Sequence, residues 1–327
     1  QEWDLRKKKL SSFHKSFTKA KINLDEVCFY DLVPAQFLLE LCDTKTKIID
    51  HVIENFEKPK NYSLLLETEK IIEQISQQKL NLDLSHLRKE VHKSRARTLL
   101  SRLNKSLPIV SYNLFGSKTG RLTTRPLTFP ILNLDKEYKS VIKPRNDLFI
   151  ELDFNAAEVR VLLGLSGEEQ PQEDIHEWNA KRLNISREEA KKDIFSWLYG
   201  SSKVESVKFE NLFNLNKIMD SKYDGECVES LYGRKIKSDS FHSLNYLVQS
   251  STAELVLDQI IKINKILQNK KSFISFIVHD SVVIDLDKED KSMVQELVNI
   301  FSKTKLGNFP VNISMGKDYG NLRKVKC

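Results

Sequence analysis

Arg187, Lys191, Phe195 and Tyr199 recur at every fourth position. On a helix that spacing makes one stripe, with two cations near the start and two aromatic rings near the end. Ser186 and Glu189 form an S-x-x-E capping box, which predicts a helix beginning at Arg187. The cations then flank a helix N-terminus, whose partial positive charge also attracts phosphate, so the stripe has the outline of a triphosphate grip. An ordinary core helix presents aromatic residues at the same spacing. In the gripping reading, Phe195 and Tyr199 offer flat faces to a base, and Gly200 offers a backbone kink for its approach.

A second chemistry belongs to Asp153 and Asp280, 127 positions apart. Leu148 to Phe154 is a short β-rich run containing Asp153, and the helix-like stretch Asn155 to Leu165 follows at once. Phe273 to Val278 and Val282 to Leu286 are apolar, β-branched runs joined by His279, Asp280 and Ser281. They read as a tight hairpin with an acid at its bend. A single strand-end aspartate is most often a turn residue. Two of them, brought together by strand pairing, suffice for two-metal phosphoryl or nucleotidyl transfer, because magnesium prefers a few carboxylates, waters and substrate phosphates to a closed protein cage.

The elements that must position these residues can be read around them. From Gln1 to about Lys105 only Pro34 and Pro59 interrupt a Lys- and Glu-rich sequence whose apolar residues recur at three and four, as in Phe37, Leu38, Leu41 and Ile71, Ile72, Ile75. This predicts a helical region. Positive charge concentrates in Arg6 to Lys9 and in Arg88 to Arg102, as a solvated helix face or as a contact to a phosphate backbone. After Pro108 the texture changes to strands and loops. Between the two acids lie the helix of the stripe, a polar connector to about Glu226, a hairpin around Tyr232, Gly233 and Arg234, and a long amphipathic helix from about Phe241 to Leu267.

The chain has 327 residues, 40% apolar and 30% charged, the texture of a globular protein with room for a large core or several subdomains. No apolar run approaches the roughly 18 residues of a membrane span. Lys and Arg at 52 exceed Asp and Glu at 45, for a net charge of +7, which favours a polyanionic partner such as nucleic acid. Cys28, Cys42, Cys227 and Cys327 have neither C-x-x-C nor zinc spacing, which fits a reducing compartment. Gln1 in place of an initiator Met predicts a processed product or a fragment.

The order of motifs is informative: Thr119-Gly120-Arg121-Leu122, then Asp153 with Glu158 and Arg160, then the Arg187 helix, then Asn245 with Gln249, then Val278-His279-Asp280. In this order and internal spacing the sequence, from about Leu64 onward, resembles the polymerase module of the family A DNA polymerases, the group of bacterial DNA polymerase I and many phage and organellar replicases. Leu152 to Arg160 is similar to the first acidic motif, R-x-x-x-K-x-x-x-F-x-x-x-Y-G from Arg187 to Gly200 to the nucleotide-binding helix, and Val278-His279-Asp280 to the second acidic motif.

The resemblance implies an α+β chain with the right-hand polymerase fold, in which an antiparallel β-sheet palm is joined to helical fingers and a reduced helical thumb. Its implied divisions are a helical N-terminal region over 1–63, thumb over 64–118, palm over 119–165 and 231–327, and fingers over 166–230. It implies primer-template DNA and deoxynucleoside triphosphates as partners, and two Mg2+ ions as cofactors held by Asp153 and Asp280. Arg187, Lys191 and His176 would bind the triphosphate, with Lys191 giving a proton to pyrophosphate. Tyr199 would stack beside the templating base, and Glu158 with Phe195 would gate the sugar. Arg121, Asn245 and Gln249 would read the minor groove, and His279 would lie at the primer end. A cytoplasmic location follows, in a bacterial host if phage-encoded, or an organelle.

Three departures carry expectations of their own. Ser281 stands where the family usually has a second acid. Leu87 and Thr119 are only 32 positions apart, which predicts the reduced thumb. No D-x-E pair with further exonuclease motifs occurs in the first 110 residues, so proofreading or processivity would fall to another segment or polypeptide. A single-subunit RNA polymerase and a catalytically silent nucleic-acid-binding protein are the alternatives. Glu158 speaks against the first, and both aspartates together with Arg187 and Lys191 against the second.

Overall fold

In the computed structural model, which describes residues 1–22, 27–200 and 206–325, the chain divides into two units, Gln1–Pro59 and Lys60–Cys327. The first unit pairs helix α1 (Glu2–Lys19) with α2 (Ala35–Asn55). Val33, Phe37 and Leu41 are buried there against Trp3, Phe13 and Phe17, and Arg6 bridges Glu2 and Glu40.

The second unit is organised by period-two alternation. Strand β1 (Leu148–Phe154), β2 (Phe273–Val278), β3 (Ser281–Leu286), β4 (Val311–Gly316) and β5 (Arg323–Val325) form an antiparallel sheet in the order β5-β4-β1-β3-β2. Along β1, Ile150, Leu152 and Phe154 are buried in the main core, whereas Glu151 and Asp153 fall on the alternate face. Directly opposite Asp153 stand Ser281 on β3 and Asn312 on β4. The expected three-residue bend is a two-residue turn, because Ser281 already pairs with Val278 as the first residue of β3.

Helices surround the sheet. Those of the second unit before β1 are α3 (Tyr62–Ser76), α4 (Ser85–Lys89) and α5 (Ser94–Leu103). After it come α6 (Ala157–Ser166), α7 (Ile175–Leu183), α8 (Arg187–Leu198), α9 (Ser206–Leu212), α10 (Leu215–Lys222), α11 (Ser240–Leu267) and α12 (Val294–Ser302). Two expectations need correction. The stretch expected as a polar connector holds the short helices α9 and α10, with Phe209, Ile218 and, in the turn between the two helices, Phe213 buried, while its residues 201–205 lie outside the described residues. Trp197 of α8 stacks on Phe209 of α9 at 5.6 Å and 29° and on Phe213 at 5.9 Å and 10°, so the aromatics of this polar stretch pack against a neighbour that the local sequence does not reveal. Helix α11 is not amphipathic. Leu247, Val248, Leu255, Val256, Leu257, Ile260 and Ile261 are buried around most of its circumference, since it packs against α3, α6 and α12 together.

Two separate cores result. The main one gathers the sheet, α3, α11 and α12, and a second gathers α6, α7, α8, α9 and α10 around Trp197 and Ile194. Phe154, at the end of β1, stacks on Phe301 of α12 at 4.2 Å and is 2% exposed. Replacing it by alanine is expected to cost about 3–5 kcal/mol of stability, read as a lower denaturant midpoint. An unchanged midpoint would show that the end of β1 is not anchored through this ring.

Candidate active site

Asp153 sits one residue before the end of β1, and Asp280 occupies the turn between β2 and β3. Pairing of Asp153 with Ser281 sets the two acids side by side. Burial first, and the Asp280 charge second, push the Asp153 carboxyl up to about 7. Burial also raises Asp280. Asn312 Nδ2 donates to Asp153 Oδ2 at 3.2 Å. The turn itself is strained, because His279 has φ +54° at a position where such two-residue turns favour glycine.

Glu151, two residues before Asp153, is a neighbouring carboxylate that sequence reasoning passed over. Its Oε1 accepts from Ser281 Oγ at 3.3 Å, and burial raises its pKa. The period of two along β1 was the available signal. Among the described residues no cluster of three or more His, Cys, Asp or Glu is disposed to hold a metal ion. Asp153 and Asp280 still fit magnesium, which takes few protein carboxylates and completes its shell with water and phosphate. Both are hard oxygen donors, and their raised pKa values mean that burial leaves their negative charge poorly compensated.

Beside them opens a cavity of about 300 Å3, lined by Arg121, Glu158, Phe195, Tyr199, His279 and Asp280 among others. Six residues singled out from separate parts of the sequence therefore share one space. Ala156, at φ +52°, makes the abrupt turn from β1 into α6, and Glu158 emerges in the first turn of that helix. Arg121 Nη2 binds Glu158 Oε1. Tyr199 Oη donates to Glu158 Oε2 at 2.9 Å, and its ring stacks on Phe195 at 6.5 Å and 19°. The carboxylate is thus fixed from two sides.

The capping box of α8 is present with both of its hydrogen bonds. Arg187 is engaged by Asp174 at 2.7 Å and Glu188 at 2.6 Å, whereas Lys191 is exposed. His176 is 5% exposed, its ring lies 5.9 Å from that of Phe195, and its Nδ1 has no hydrogen-bond partner among the described residues. Burial holds its pKa below the usual histidine range. Asn245 and Gln249 are joined, Gln249 Nε2 donating to Asn245 Oδ1 at 2.5 Å, while Asn245 Nδ2 reaches the Leu198 carbonyl at 3.3 Å. Arg160, fully buried, spends its guanidinium on the carbonyls of Asn155, Pro171 and Glu173, and burial lowers its pKa to about 10. It ties the loop before α7 to the end of β1.

Two supports were not foreseen. Glu254 of α11 has no exposed surface and accepts from Asn61, Ser230 and Arg234. The Arg234 guanidinium in turn lies against Gly120, where a Cβ would come within 2.7 Å of Arg234 Cζ. Gly120, at φ +75°, thereby seats the loop that carries Arg121. On the sheet's outer edge, Tyr112 Oη donates to the Ile277 carbonyl at 2.6 Å and accepts from the Ile277 N–H at 2.8 Å, which fixes β2 just before the Asp280 turn. Neither partner is near in sequence, so no local pattern announces them.

No protein-family model and no curated protein sequence matches the chain. Among solved structures, the POL domain of Pol1 from M. smegmatis, in complex with DNA primer-template and dNTP, aligns with a TM-score of 0.55 and 14% identity. The alignment covers 80% of this chain and 66% of that one. The mixed helical and antiparallel-sheet fold is therefore similar to that of a polymerase domain. No helix among the described residues is long and apolar enough to cross a membrane.

The raised Asp153 pKa has a signed consequence. Between the ordinary value of 3.8 and about 7, the folded state holds a proton that the unfolded state has released, so this group's stabilisation is full below pH 4 and is lost as pH rises through 7. Asp153→Asn is expected to flatten the fall in denaturant midpoint over that range when divalent cations are chelated. Persistence of the full wild-type slope in the variant would assign the titration elsewhere.

Proposed function

We propose that the chain is a template-directed DNA polymerase of the family A type, adding deoxynucleotides to a primer 3′-hydroxyl by two-metal nucleotidyl transfer. The observation that carries this reading is the pairing of β1 with β3, which sets Asp153 beside Asp280, and Asp280 lines a cavity together with Glu158, Phe195 and Tyr199. A catalytically silent binder has no need of two half-buried, poorly compensated acids at such a position. In this reading the sheet belongs to the palm (119–165 and 231–327), residues 166–230 to the fingers and 64–118 to a reduced thumb.

Asp153 and Asp280 would hold Mg2+, which when bound supplies charge neutralisation for the attacking 3′-hydroxyl and the leaving pyrophosphate. Lys191, exposed on α8, contacts the triphosphate and gives a proton to the pyrophosphate. Arg187 exchanges its Asp174 partner for phosphate oxygens, a like-for-like replacement of one anion by another. His176 Nδ1, without a hydrogen-bond partner among the described residues and beside Phe195, completes the grip. Tyr199 stands beside the templating base, and Arg121, Asn245 and Gln249 meet minor-groove acceptors that every correct pair presents. His279 lies against the primer end.

Glu158 supports DNA over RNA synthesis. Arg121 and Tyr199 hold its carboxylate, so a ribose 2′-hydroxyl meets a fixed wall completed by Phe195. A clash of about 3 kcal/mol corresponds to more than a hundredfold discrimination.

Asp280→Asn is expected to abolish Mg2+-dependent primer extension while leaving primer-template affinity nearly intact, since that affinity comes mostly from phosphate contacts. Extension at close to the wild-type rate would remove Asp280 from the metal site. Glu158→Ala is expected to raise relative ribonucleotide use by one to two orders of magnitude. Single-nucleotide addition with deoxy and ribo substrates measures this, and equal ribonucleotide use by wild type and variant would dismiss the gate.

A further inference from the structure

Glu254 has no exposed surface, sits in the middle of α11, and holds residues that do not line the candidate cavity. Its Oε1 accepts from Asn61 Nδ2 at 2.8 Å and from Arg234 Nε at 3.1 Å, and Ser230 Oγ donates to its Oε2. The loop between the short strands Cys227–Glu229 and Lys235–Lys237 is thereby fastened to α11. A second tie runs from the Leu231 N–H to Ser251 Oγ at 3.0 Å.

Stability alone does not account for an ion pair so placed. Desolvating a carboxylate and a guanidinium offsets most of their attraction, and apolar residues of the same volume stabilise a core as well. The Arg234 guanidinium also leaves one of its donors idle, since Nη2 is buried and has no hydrogen-bond partner among the described residues. What the group lies against is Gly120, where a Cβ would come within 2.7 Å of both Cζ and Nη2. The guanidinium is a wedge, and Glu254 sets its height from behind.

Gly120 directly precedes Arg121, whose Nη2 binds Glu158 Oε1. The Gly120 N–H donates to the Ser117 carbonyl at 3.4 Å, and Ser117 Oγ donates to the Arg121 carbonyl at 2.8 Å, so the Ser117–Arg121 turn is tied into one piece that rests on the wedge. We propose that Arg234 and Glu254 are positioning residues for sugar selection: they set the height of the Arg121 turn and, through Arg121, the place of the Glu158 carboxylate. The inference rests on the reading of Glu158 as the gate, and it extends that gate to two residues outside the cavity.

The test is single-nucleotide addition with deoxy and ribo substrates by wild type, Arg234→Met, Glu254→Gln and the double variant, each with and without Glu158→Ala, beside their denaturant midpoints. Methionine keeps much of the arginine stem, and the double variant leaves no unpaired buried charge, so it is expected to fold. Arg234→Met and the double variant are expected to raise relative ribonucleotide use about fivefold, a scale that indirect coupling reaches, with deoxynucleotide addition retained. In the Glu158→Ala background the same changes should add nothing, because the carboxylate they place is gone. A general loosening of the fold acts equally in both backgrounds. Unchanged ribonucleotide use in the folded double variant, or an equal gain with and without Glu158, would overturn the positioning role and leave the gate and the polymerase reading standing. No gain from Glu158→Ala itself would remove the gate and this inference with it, and failure of wild type to extend any primer would remove all three.

Discussion

Antiparallel pairing of β1 with β3 is the interaction on which the rest of the second unit depends. A sheet has a period of two, so a slip of one residue would turn Asp153 toward the apolar side and bring Leu152 or Phe154 to the site. The register is therefore specified twice over. Leu152, Phe154 and Val282 demand the core, and the strained His279 turn demands that Val278 meet Ser281. Two carboxylates that repel one another are held together by apolar burial on the opposite face of the same strands.

Around that pair the molecule uses buried cations as fasteners. Arg160 closes the turn after β1 through three carbonyls, and Arg234, anchored by Glu254, presses on Gly120. Neither guanidinium faces the candidate cavity. Each connects a segment distant in sequence to one that bears a cavity residue, and a buried charge that finds its partners is costly to displace. The positions of Arg121 and Glu158 are thus consequences of contacts made well behind them.

How much of this was legible in the sequence differs by the range of the interaction. The Ser186 capping box, the β1 run and the α8 stripe are local patterns, and they correspond to α8 and β1 with ends within two residues. The order of motifs, rather than any one of them, singled out Arg121, Glu158, Phe195, Tyr199, His279 and Asp280, and these six line one cavity. What escaped was non-local. α9 and α10 take shape by packing on Trp197, and α11 reads as two-faced only until its three helical neighbours are known. Glu254 in a buried network and Asn312 beside Asp153 depend on partners 20 or more and 159 residues away.

The phenol of Tyr112 has a consequence beyond holding β2 in place. β2 is one of the two edge strands of the sheet, and an edge of apolar, β-branched residues is a template for pairing with another chain. By taking both the N–H and the carbonyl of Ile277, one side chain withdraws a pair of hydrogen-bonding groups from that edge. Many proteins guard such edges with lysine or proline, but a charge or a kink next to the Asp280 turn would disturb the acids themselves. A buried tyrosine closes part of the edge there and leaves the local charge unaltered.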